Sequence, residues 1–209
     1  MLSDSQHILK KGLDALEIEY QAHQLEQVQA YLDLLIKWNQ KYNLVAAAET
    51  NFLVERHILD SLSIFRFING NHTLDIGTGA GLPGIPLAIF KPQQKFTLLD
   101  SNGKKTRFLF QVKTSLGLDN VMIENCRVEH YQSPHQIDMV TCRAFAALEE
   151  IVIKAQHLLS QECKLLAMKG RFPDEEISRL PEEFVLLDSV QLLVPGEDSE
   201  RHLIQVGRK

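Results

Sequence analysis

The sequence predicts an α/β fold in which a mostly parallel, seven-stranded sheet follows an N-terminal helical extension. From His72 onward, short apolar runs alternate with helical patterns, which is typical of parallel strands joined by right-handed crossovers. Before residue 69 the apolar residues instead repeat every three or four positions, which indicates amphipathic helices. We therefore predict a helical cap over residues 1–68 and one compact α/β core over residues 69–209.

The individual elements follow from the same periodicities. In the cap, one apolar stripe includes Leu9 and Leu13, a second includes Val28 and Leu32, and a further helix is predicted over residues 52–67. In the core we predict helices over 84–90, 103–117, 147–159 and 174–179. The predicted strands are 72–76, 95–100, 121–124, 137–141, 163–168, 184–194 and 202–206, the last two forming a hairpin through the turn-rich segment P-G-E-D-S-E.

Composition narrows the classes of protein. With 209 residues, 44% of them hydrophobic, the chain can build one sizeable core. The sequence has neither a long apolar run nor a signal-peptide pattern, so we expect a cytoplasmic protein without a membrane partner. A net charge of −5 argues against a protein that coats nucleic acid. The three cysteines are widely spaced, which favours buried thiols over a metal site.

The chain is organised around the stretch His72–Pro86, which reads H-T-L-D-I-G-T-G-A-G-L-P-G-I-P. An apolar strand ends in Asp75, three glycines alternate from Gly77, and two prolines then stand where a helix begins. Glycine permits unusual backbone angles and the close approach of a ligand. A strand, a tight turn and a helix of this kind form a nucleotide-binding corner.

The spacing of the glycines indicates which kind of nucleotide ligand the turn binds. The dinucleotide pattern G-x-G-x-x-G, begun at Gly77, requires glycine where the chain has Leu82. Begun at Gly79, the pattern fits Gly81 and Gly84, but it then does not begin the turn in the usual place. No lysine follows the glycines as a phosphate loop requires. The motif D-x-G-x-G-x-G instead resembles the first motif of S-adenosylmethionine-dependent methyltransferases of class I, which have a Rossmann-like fold. A glycine-rich turn without a ligand is the alternative.

Other candidate residues stand where the predicted strands end, because open α/β sheets bind ligands at the carboxyl ends of their strands. Asp100 ends the second strand and is placed to accept the ribose hydroxyls, or alternatively to cap the next helix. After the third strand, the backbone of Val128 and Glu129 is placed to contact the adenine, unless this is an ordinary helix start.

The end of the fourth strand bears on the methyl acceptor. Methyltransferases that act on exocyclic amines resemble one another in a motif [D/N]-P-P-[Y/F] at this point, where this chain has T-C-R-A, so such an acceptor is disfavoured. Cys142 leaves open a cysteine nucleophile that attacks cytosine C5, although a single strand-end cysteine is more often a packed thiol.

Several segments in combination resemble the bacterial small-subunit rRNA guanine-N7 methyltransferase family, also called glucose-inhibited division protein B. The matching segments are N-L (43–44), R-H-I-L-D-S-L (56–62), D-I-G-T-G-A-G-L-P-G-I-P-L-A (75–88), L-L-D-S-N-G-K-K-T-R-F-L (98–109), R-V-E (127–129), R-A-F-A (143–146), K-G (169–170) and E-R-H-L (200–203). The chain departs from the family at Asn102, where an apolar residue is more usual before Gly103.

The resemblance implies methyl transfer from S-adenosylmethionine to N7 of a guanosine in the 530 loop of 16S rRNA, within the 30S subunit. Nothing in the sequence requires more than a monomer. The resemblance also implies cofactor-binding positions at Gly77, Gly79, Leu82, Asp100, Val128, Glu129 and Arg143. We expect Arg127, Arg143 and Arg201 to contact phosphate, guanine O6 or the cofactor carboxylate, with surface salt bridges as the alternative. Lys104 and Lys105 belong to the basic run Lys91–Lys113, which permits an RNA partner or is alternatively a solvated helix face. Guanine N7 has a free lone pair and loses no proton, so no residue is required as a general base and Arg143 acts by positioning.

Two other classes of function stay open at this point. One is a methyltransferase for another nucleobase position or for a small molecule. The other is a cofactor-binding factor in ribosome assembly that does not turn over.

Overall fold

A computed structural model describes residues 4–46 and 50–209, and it has the predicted seven-stranded sheet. The strands are β1 (His72–Ile76), β2 (Lys95–Leu99), β3 (Val121–Glu124), β4 (Met139–Arg143), β5 (Lys164–Lys169), β6 (Phe184–Gln191) and β7 (His202–Arg208). Their order is β3-β2-β1-β4-β5-β7-β6. β1 to β5 run parallel, and β7 is antiparallel to both β5 and β6. The class I fold and the closing hairpin are therefore confirmed.

The helices occupy the N-terminal region and both faces of the sheet. They are α1 (Asp4–Ala15), α2 (Ala22–Tyr42), α3 (Thr50–Leu53), α4 (Asp60–Leu62), α5 (Gly84–Phe90), α6 (Gly103–Leu116), α7 (Leu148–Ala155) and α8 (Asp174–Ser178). A π-helical turn, Val54–Leu59, joins α3 to α4, and 3₁₀ turns lie at Phe65–Phe67 and Val128–His130. Residues 1–3 and 47–49 of the predicted cap lie outside the described residues.

The predicted fourth strand, 137–141, is two residues too early. Pairing with β1 starts at Met139, opposite Thr73, because Asp138 has another role. The Asp138 carboxylate accepts hydrogen bonds from the backbone N–H groups of Asn71 and His72, at 2.6 and 2.9 Å, and so closes the start of β1. The shift makes Arg143 the last residue of β4 rather than part of the following loop.

The prediction of one continuous helix over 52–67 is wrong. The π-helical turn interrupts it, and the helix ends at Leu62. Beside this end, the hydroxyls of Ser61 and Ser63 donate to the carbonyl oxygens of His57 and Asp60, at 2.6 Å each, in competition with regular helical bonding. The seventh helix is also shorter than predicted, because tight turns at Leu158 and Leu159 follow Ala155.

The apolar stripes of the cap are buried as predicted. Leu9, Leu13, Val28, Leu32 and Leu35 are each at most 2% exposed. They belong to the same hydrophobic cluster as α5 and α6, whereas α7 packs within a second cluster that includes Val140 and Leu165 of the sheet. A division of the chain into domains near residue 68 stays a prediction.

Within residues 4–46 and 50–209, no helix has both the length and the hydropathy needed to cross a membrane.

The start of α5 is packed too tightly for any side chain at Gly84. A Cβ there would collide with Leu98 Cδ2 of β2 and lie 2.8 Å from Asp75 Oδ2. We expect Gly84→Ala to lower the free energy of unfolding by about 1–3 kcal/mol, measured by urea denaturation. Gly103→Ala is the matched control, because its Cβ would lie 3.5 Å from the nearest atom, Asn125 Oδ1. Equal stability of the two variants would contradict this packing.

Candidate functional site

A buried carboxylate holds the glycine turn in shape. Asp75, at the end of the central strand, is 0% exposed. Its Oδ2 accepts hydrogen bonds from Thr78 Oγ1 at 2.6 Å and from the Gly84 N–H at 3.0 Å, and its Oδ1 lies 3.4 Å from Thr141 Oγ1. Burial is the main cause that raises the pKa of Asp75 to about 7. The strand end, the turn and the start of α5 are thus tied to one side chain.

The turn itself uses left-handed backbone conformations. Gly77 and Gly79 have φ of +63° and +64°, which glycine adopts without a Cβ clash. A Cβ on Gly79 would have no neighbour closer than 3.9 Å, so the backbone there is open to a ligand. On the opposite side of the turn, the Tyr31 hydroxyl of α2 donates to the carbonyl oxygen of Ala80 at 2.8 Å. The helical extension therefore contacts the turn directly and helps to hold its backbone in place.

Asp100 lies against this turn, as the order of the strands predicts. Its Oδ2 accepts a hydrogen bond from the Gly79 N–H at 2.9 Å, and its Oδ1 accepts one from the Asn102 N–H at 2.8 Å. The alternative role as helix cap falls instead to Asn102, whose side chain accepts from the Lys104 N–H at 2.9 Å. Each carboxylate oxygen of Asp100 retains a further lone pair for a ligand hydroxyl.

The other predicted cofactor positions are more dispersed. Val128 is 5% exposed and Glu129 is exposed, both in the 3₁₀ turn after β3. The Leu82 side chain is 4% exposed and belongs to the hydrophobic core, so only its backbone is available to a ligand. Arg127 is exposed, and its side chain forms no ion pair with any described residue.

A second buried carboxylate joins the two predicted arginines. Asp60 of α4 is 3% exposed. Its Oδ2 lies 2.7 Å from Arg143 Nη1, and its Oδ1 lies 2.8 Å from Arg201 Nε. Arg143 also donates to the carbonyl oxygen of Arg56 at 3.3 Å. The salt-bridge alternative for these arginines is thus present, but in a largely buried network rather than at the surface. The sequence pattern alone did not predict Asp60 as a site residue, and its place in the segment R-H-I-L-D-S-L was the available signal.

The network lines a pocket of about 460 Å³ at the carboxyl ends of β4 and β5. Four cationic side chains reach it, and each has a carboxylate partner. Besides the Asp60 pairs, Arg56 Nε lies 2.6 Å from Glu197 Oε1, and Lys169 Nζ lies 2.6 Å from Glu176 Oε2. The pocket is therefore well supplied with hydrogen-bond donors, yet its charge is nearly balanced, since four cations share three carboxylates. Its lining residues are Arg56, His57, Asp60, Arg143, Ala144, Met168, Lys169, Gly170 and Arg201.

His57 enters this pocket from the π-helical turn. Its Nδ1 lies 3.5 Å from Arg143 Nη2, which can only donate, so Nδ1 is the acceptor. Burial, and then the charge of Arg143, lower the pKa of His57 below its usual value of 6.5. A neutral imidazole at pH 7 follows. The sequence did not predict His57 as a site residue, because its helical periodicity does not reveal a π-turn. Such turns are frequent at functional sites.

The segment after β4 links the pocket to the glycine turn. Ala144 has a left-handed φ of +50°, and the ring of Phe145 lies directly over Gly77, in the space that a Cβ would need. Cys142, just before it, is 2% exposed, and burial is the main cause that raises the pKa of its thiol to about 12. A thiol so buried and protonated is a poor nucleophile, which removes the basis for the cytosine C5 alternative.

The two predicted lysines differ in their surroundings. Lys105 Nζ lies 3.7 Å from Asp100 Oδ2, beside the glycine turn. Lys104 is exposed and forms no ion pair with a described residue. The structure thus groups Gly77, Gly79, Asp100 and Lys105 at one end of the site, and Arg143 with Arg201 at the other.

Comparisons with known proteins identify the family. Residues 24–204 match the family model described as GidB, rRNA small subunit methyltransferase G. The chain belongs to the rRNA small subunit methyltransferase G family. It is 48% identical over 206 residues to the ribosomal RNA small subunit methyltransferase G of Nitrosococcus oceani, covering 99% of this chain and 96% of that protein. It is 48% identical to that of Marinobacter nauticus, covering 96% and 94%. The resemblance inferred from the motifs is confirmed.

Solved structures show the same fold at much lower identity than these members of the methyltransferase G family. TrmK of M. capricolum, in complex with S-adenosyl-homocysteine, superposes with a TM-score of 0.54 at 14% identity, covering 71% of this chain and 67% of that one. A protein of the NADB-Rossmann superfamily from Streptococcus agalactiae gives a TM-score of 0.58 at 14% identity, with the same coverage.

The pKa of Asp75 predicts how the stability of this methyltransferase G family member depends on pH. Between the unfolded pKa of 3.8 and the folded value of about 7, the folded protein keeps a proton that the unfolded chain has released. Stability therefore falls as the pH rises through this window. In Asp75→Asn, whose amide oxygen still accepts from Thr78 and Gly84, we expect this decrease to be smaller by up to about 4 kcal/mol. Urea denaturation at pH 4, 5.5 and 7 measures it; parallel profiles would contradict the titration.

Proposed function

We propose that the chain transfers a methyl group from S-adenosylmethionine to N7 of a guanosine in the 530 loop of 16S rRNA. We further propose that it acts as a cytoplasmic monomer on the 30S subunit or its precursor. The observation that supports this most directly is the pocket lined by three arginines and a lysine at the carboxyl ends of β4 and β5, in a chain of the methyltransferase G family.

The residues at the glycine turn fit S-adenosylmethionine. The open backbone at Gly79 leaves room for a ligand, and Asp100 presents a carboxylate at the ribose position of Rossmann-like folds. The backbone of Val128 and Glu129 would contact the adenine, and that of Gly77 and Leu82 would lie along the amino-acid tail. When bound, the cofactor supplies an electrophilic methyl group on its sulfonium sulfur.

The chain's own residues then have to bind and orient the guanine. N7 offers an in-plane lone pair, so the reaction depends on proximity and alignment rather than on proton removal. Arg143 and Arg201, held by Asp60, are placed to contact O6 or phosphate, since a guanidinium on N7 itself would block the nucleophile. The product guanine is cationic, and a pocket whose four cations are already paired repels it less than an unpaired cluster would.

The proposed acceptor can be tested by product mapping. After reaction of 30S subunits with the purified protein and tritium-labelled cofactor, digestion to nucleosides should give 7-methylguanosine as the labelled product. Borohydride–aniline cleavage should place it in the 530 loop. Label in another nucleoside would favour another methyltransferase specificity, and no incorporation above background would favour a non-catalytic assembly factor.

Arg143 provides a test of the pocket. Its side chain is 17% exposed and pairs with Asp60, so Arg143→Ala removes one of two cations from a buried carboxylate. We expect a methylation rate lower by about a hundred-fold or more, from loss of positioning, and a free energy of unfolding lower by up to about 3 kcal/mol.

Arg179→Ala is the control for this variant. Arg179 is 61% exposed and pairs with Glu149 and Glu175, away from the pocket. Removing an exposed pair of this kind should change stability by less than about 1 kcal/mol. A folded Arg143→Ala protein that methylates at the wild-type rate would remove Arg143 from the site.

A further inference from the structure

The second half of α2 and the whole of α6 together form a surface rich in basic residues. The acidic residue of α2 closest to it in the sequence is the exposed Asp33, which is bonded to Gln29 and lies one helical turn before Lys37. α6 carries Lys104, Lys105, Arg107 and Lys113, and residues 101–118 contain neither Asp nor Glu. The second half of α2 adds Lys37 and Lys41, and residues 34–48 likewise contain no acid. Such stretches stand out in a chain with 27 acidic and 22 basic residues. We call the exposed Lys37, Lys41, Lys104, Arg107 and Phe110 the α2–α6 face.

Direct contacts join the two helices and bring their basic ends together. Gln27 Nε2 donates to the carbonyl oxygen of Leu116 at 2.8 Å, and Trp38 Nε1 donates to Gln111 Oε1 at 2.9 Å. The Trp38 ring also packs on Phe108, with 5.6 Å between ring centroids. Because the later residue of α2 contacts the earlier part of α6, the helices run antiparallel. Lys41 therefore lies near the N-terminal half of α6.

This end of the face adjoins the catalytic edge of the sheet. Tyr31 of α2 contacts Ala80 in the glycine turn, so it marks the level of that edge. Lys41 follows ten residues later, roughly 15 Å further along the helix. α6 begins just after Asp100, and Lys105 lies 3.9 Å from the position of a Cβ on Gly79. An RNA chain leaving the pocket could therefore reach the face.

Three other basic residues between Lys91 and Lys113 do not belong to this face. Lys91 Nζ lies 4.0 Å from the centre of the Phe65 ring, and burial lowers its pKa. Lys95 begins β2 and so lies at the opposite edge of the sheet. Lys105 is paired with Asp100. Lys41 Nζ lies 5.5 Å from the centre of the Tyr42 ring, at the surface of α2. None of the four cations of the face forms an ion pair with a described residue, so they are available to an anion.

An aromatic ring completes the surface. Phe110 is 53% exposed, and it lies three residues from Arg107 on the exposed side of α6. Bases stack on such rings in single-stranded RNA, while lysine and arginine bind the phosphates. One ring among cations and amides is too small an apolar area for a stable protein interface. The charge and the ring together therefore favour RNA as the partner.

We propose that the α2–α6 face binds the sugar–phosphate backbone of the rRNA outside the methylated nucleotide, with Phe110 stacking on an unpaired base. This inference rests on the proposed rRNA substrate. It assigns the attraction for RNA to a surface separate from the pocket that orients the guanine.

A charge-neutralising triple variant tests the face. We compare Lys37→Gln/Lys41→Gln/Arg107→Gln with Lys10→Gln/Lys11→Gln/Lys164→Gln, which makes the same change in charge on α1 and at the distant start of β5. At about 0.15 M salt, the first variant should raise the KM for 30S subunits by about ten-fold or more, with kcat and the KM for the cofactor unchanged. Its log–log salt dependence should be shallower by about 2. The control should match the wild type.

Equal KM values for the two triple variants would overturn the proposal. A direct measurement of RNA binding distinguishes failure of this proposal from failure of the proposed methyltransferase function. The one tryptophan of the chain, Trp38, lies in the contact between the two helices, so its fluorescence reports on RNA bound there. If the wild type gives no 7-methylguanosine, titration with a 530-loop RNA still tests the face. An affinity equal in both triple variants would then reject it.

Phe110→Ala tests the stacking contact by itself. We expect the Kd for an RNA with an unpaired loop to rise at least about five-fold, and that for a perfect duplex to stay unchanged. Leu187→Ala, at a 48% exposed apolar residue of β6, is the matched control. An unchanged Kd for the loop RNA would remove Phe110 from the proposed contact.

Discussion

The carboxylate of Asp75 is the constraint on which the site depends. It lies at the end of the central strand, and its hydrogen bonds to Thr78 and Gly84 fix both sides of the glycine turn. A turn with this many glycines would otherwise lose much conformational entropy on binding a ligand. Because the interior of the protein holds the turn, the Gly79 N–H is already directed at Asp100. The desolvation that raises the pKa of Asp75 is the cost of this arrangement.

Asp60 has the corresponding role for the pocket. It joins α4 to Arg143 at the end of β4 and to Arg201 just before β7, which lie 83 and 141 residues away in the sequence. Replacing a buried ion pair by apolar side chains often costs no stability, so stability alone does not explain the network. What the network provides is orientation: two guanidinium groups are held in one geometry at the mouth of the pocket. The helical extension is therefore part of the site as well as a cover for the sheet.

The sequence predicted the elements that local signals delimit. The bounds of β1, β3 and α5 agree because glycine turns and prolines mark them. The start of β4 was wrong because Asp138 binds the backbone of β1, a contact between segments that periodicity does not detect. The π-helical turn preserved the apolar stripe of its segment, so nothing in the pattern revealed it. Arg143 and Arg201 came from the family resemblance, which did not indicate their shared partner Asp60.

A protein with a net negative charge can act on RNA if the cations that attract RNA lie apart from those that orient the guanine. In the pocket, four cations share the three carboxylates of Asp60, Glu176 and Glu197, so the pocket contributes direction and shape but little long-range attraction. Attraction for a polyanion requires unpaired charge, and the α2–α6 face provides it on the outside of two helices. The topology explains its location, because α6 must begin where β2 ends, beside Asp100. The same crossover that places the Asp100 carboxylate against the glycine turn thus also places the basic helix beside the site.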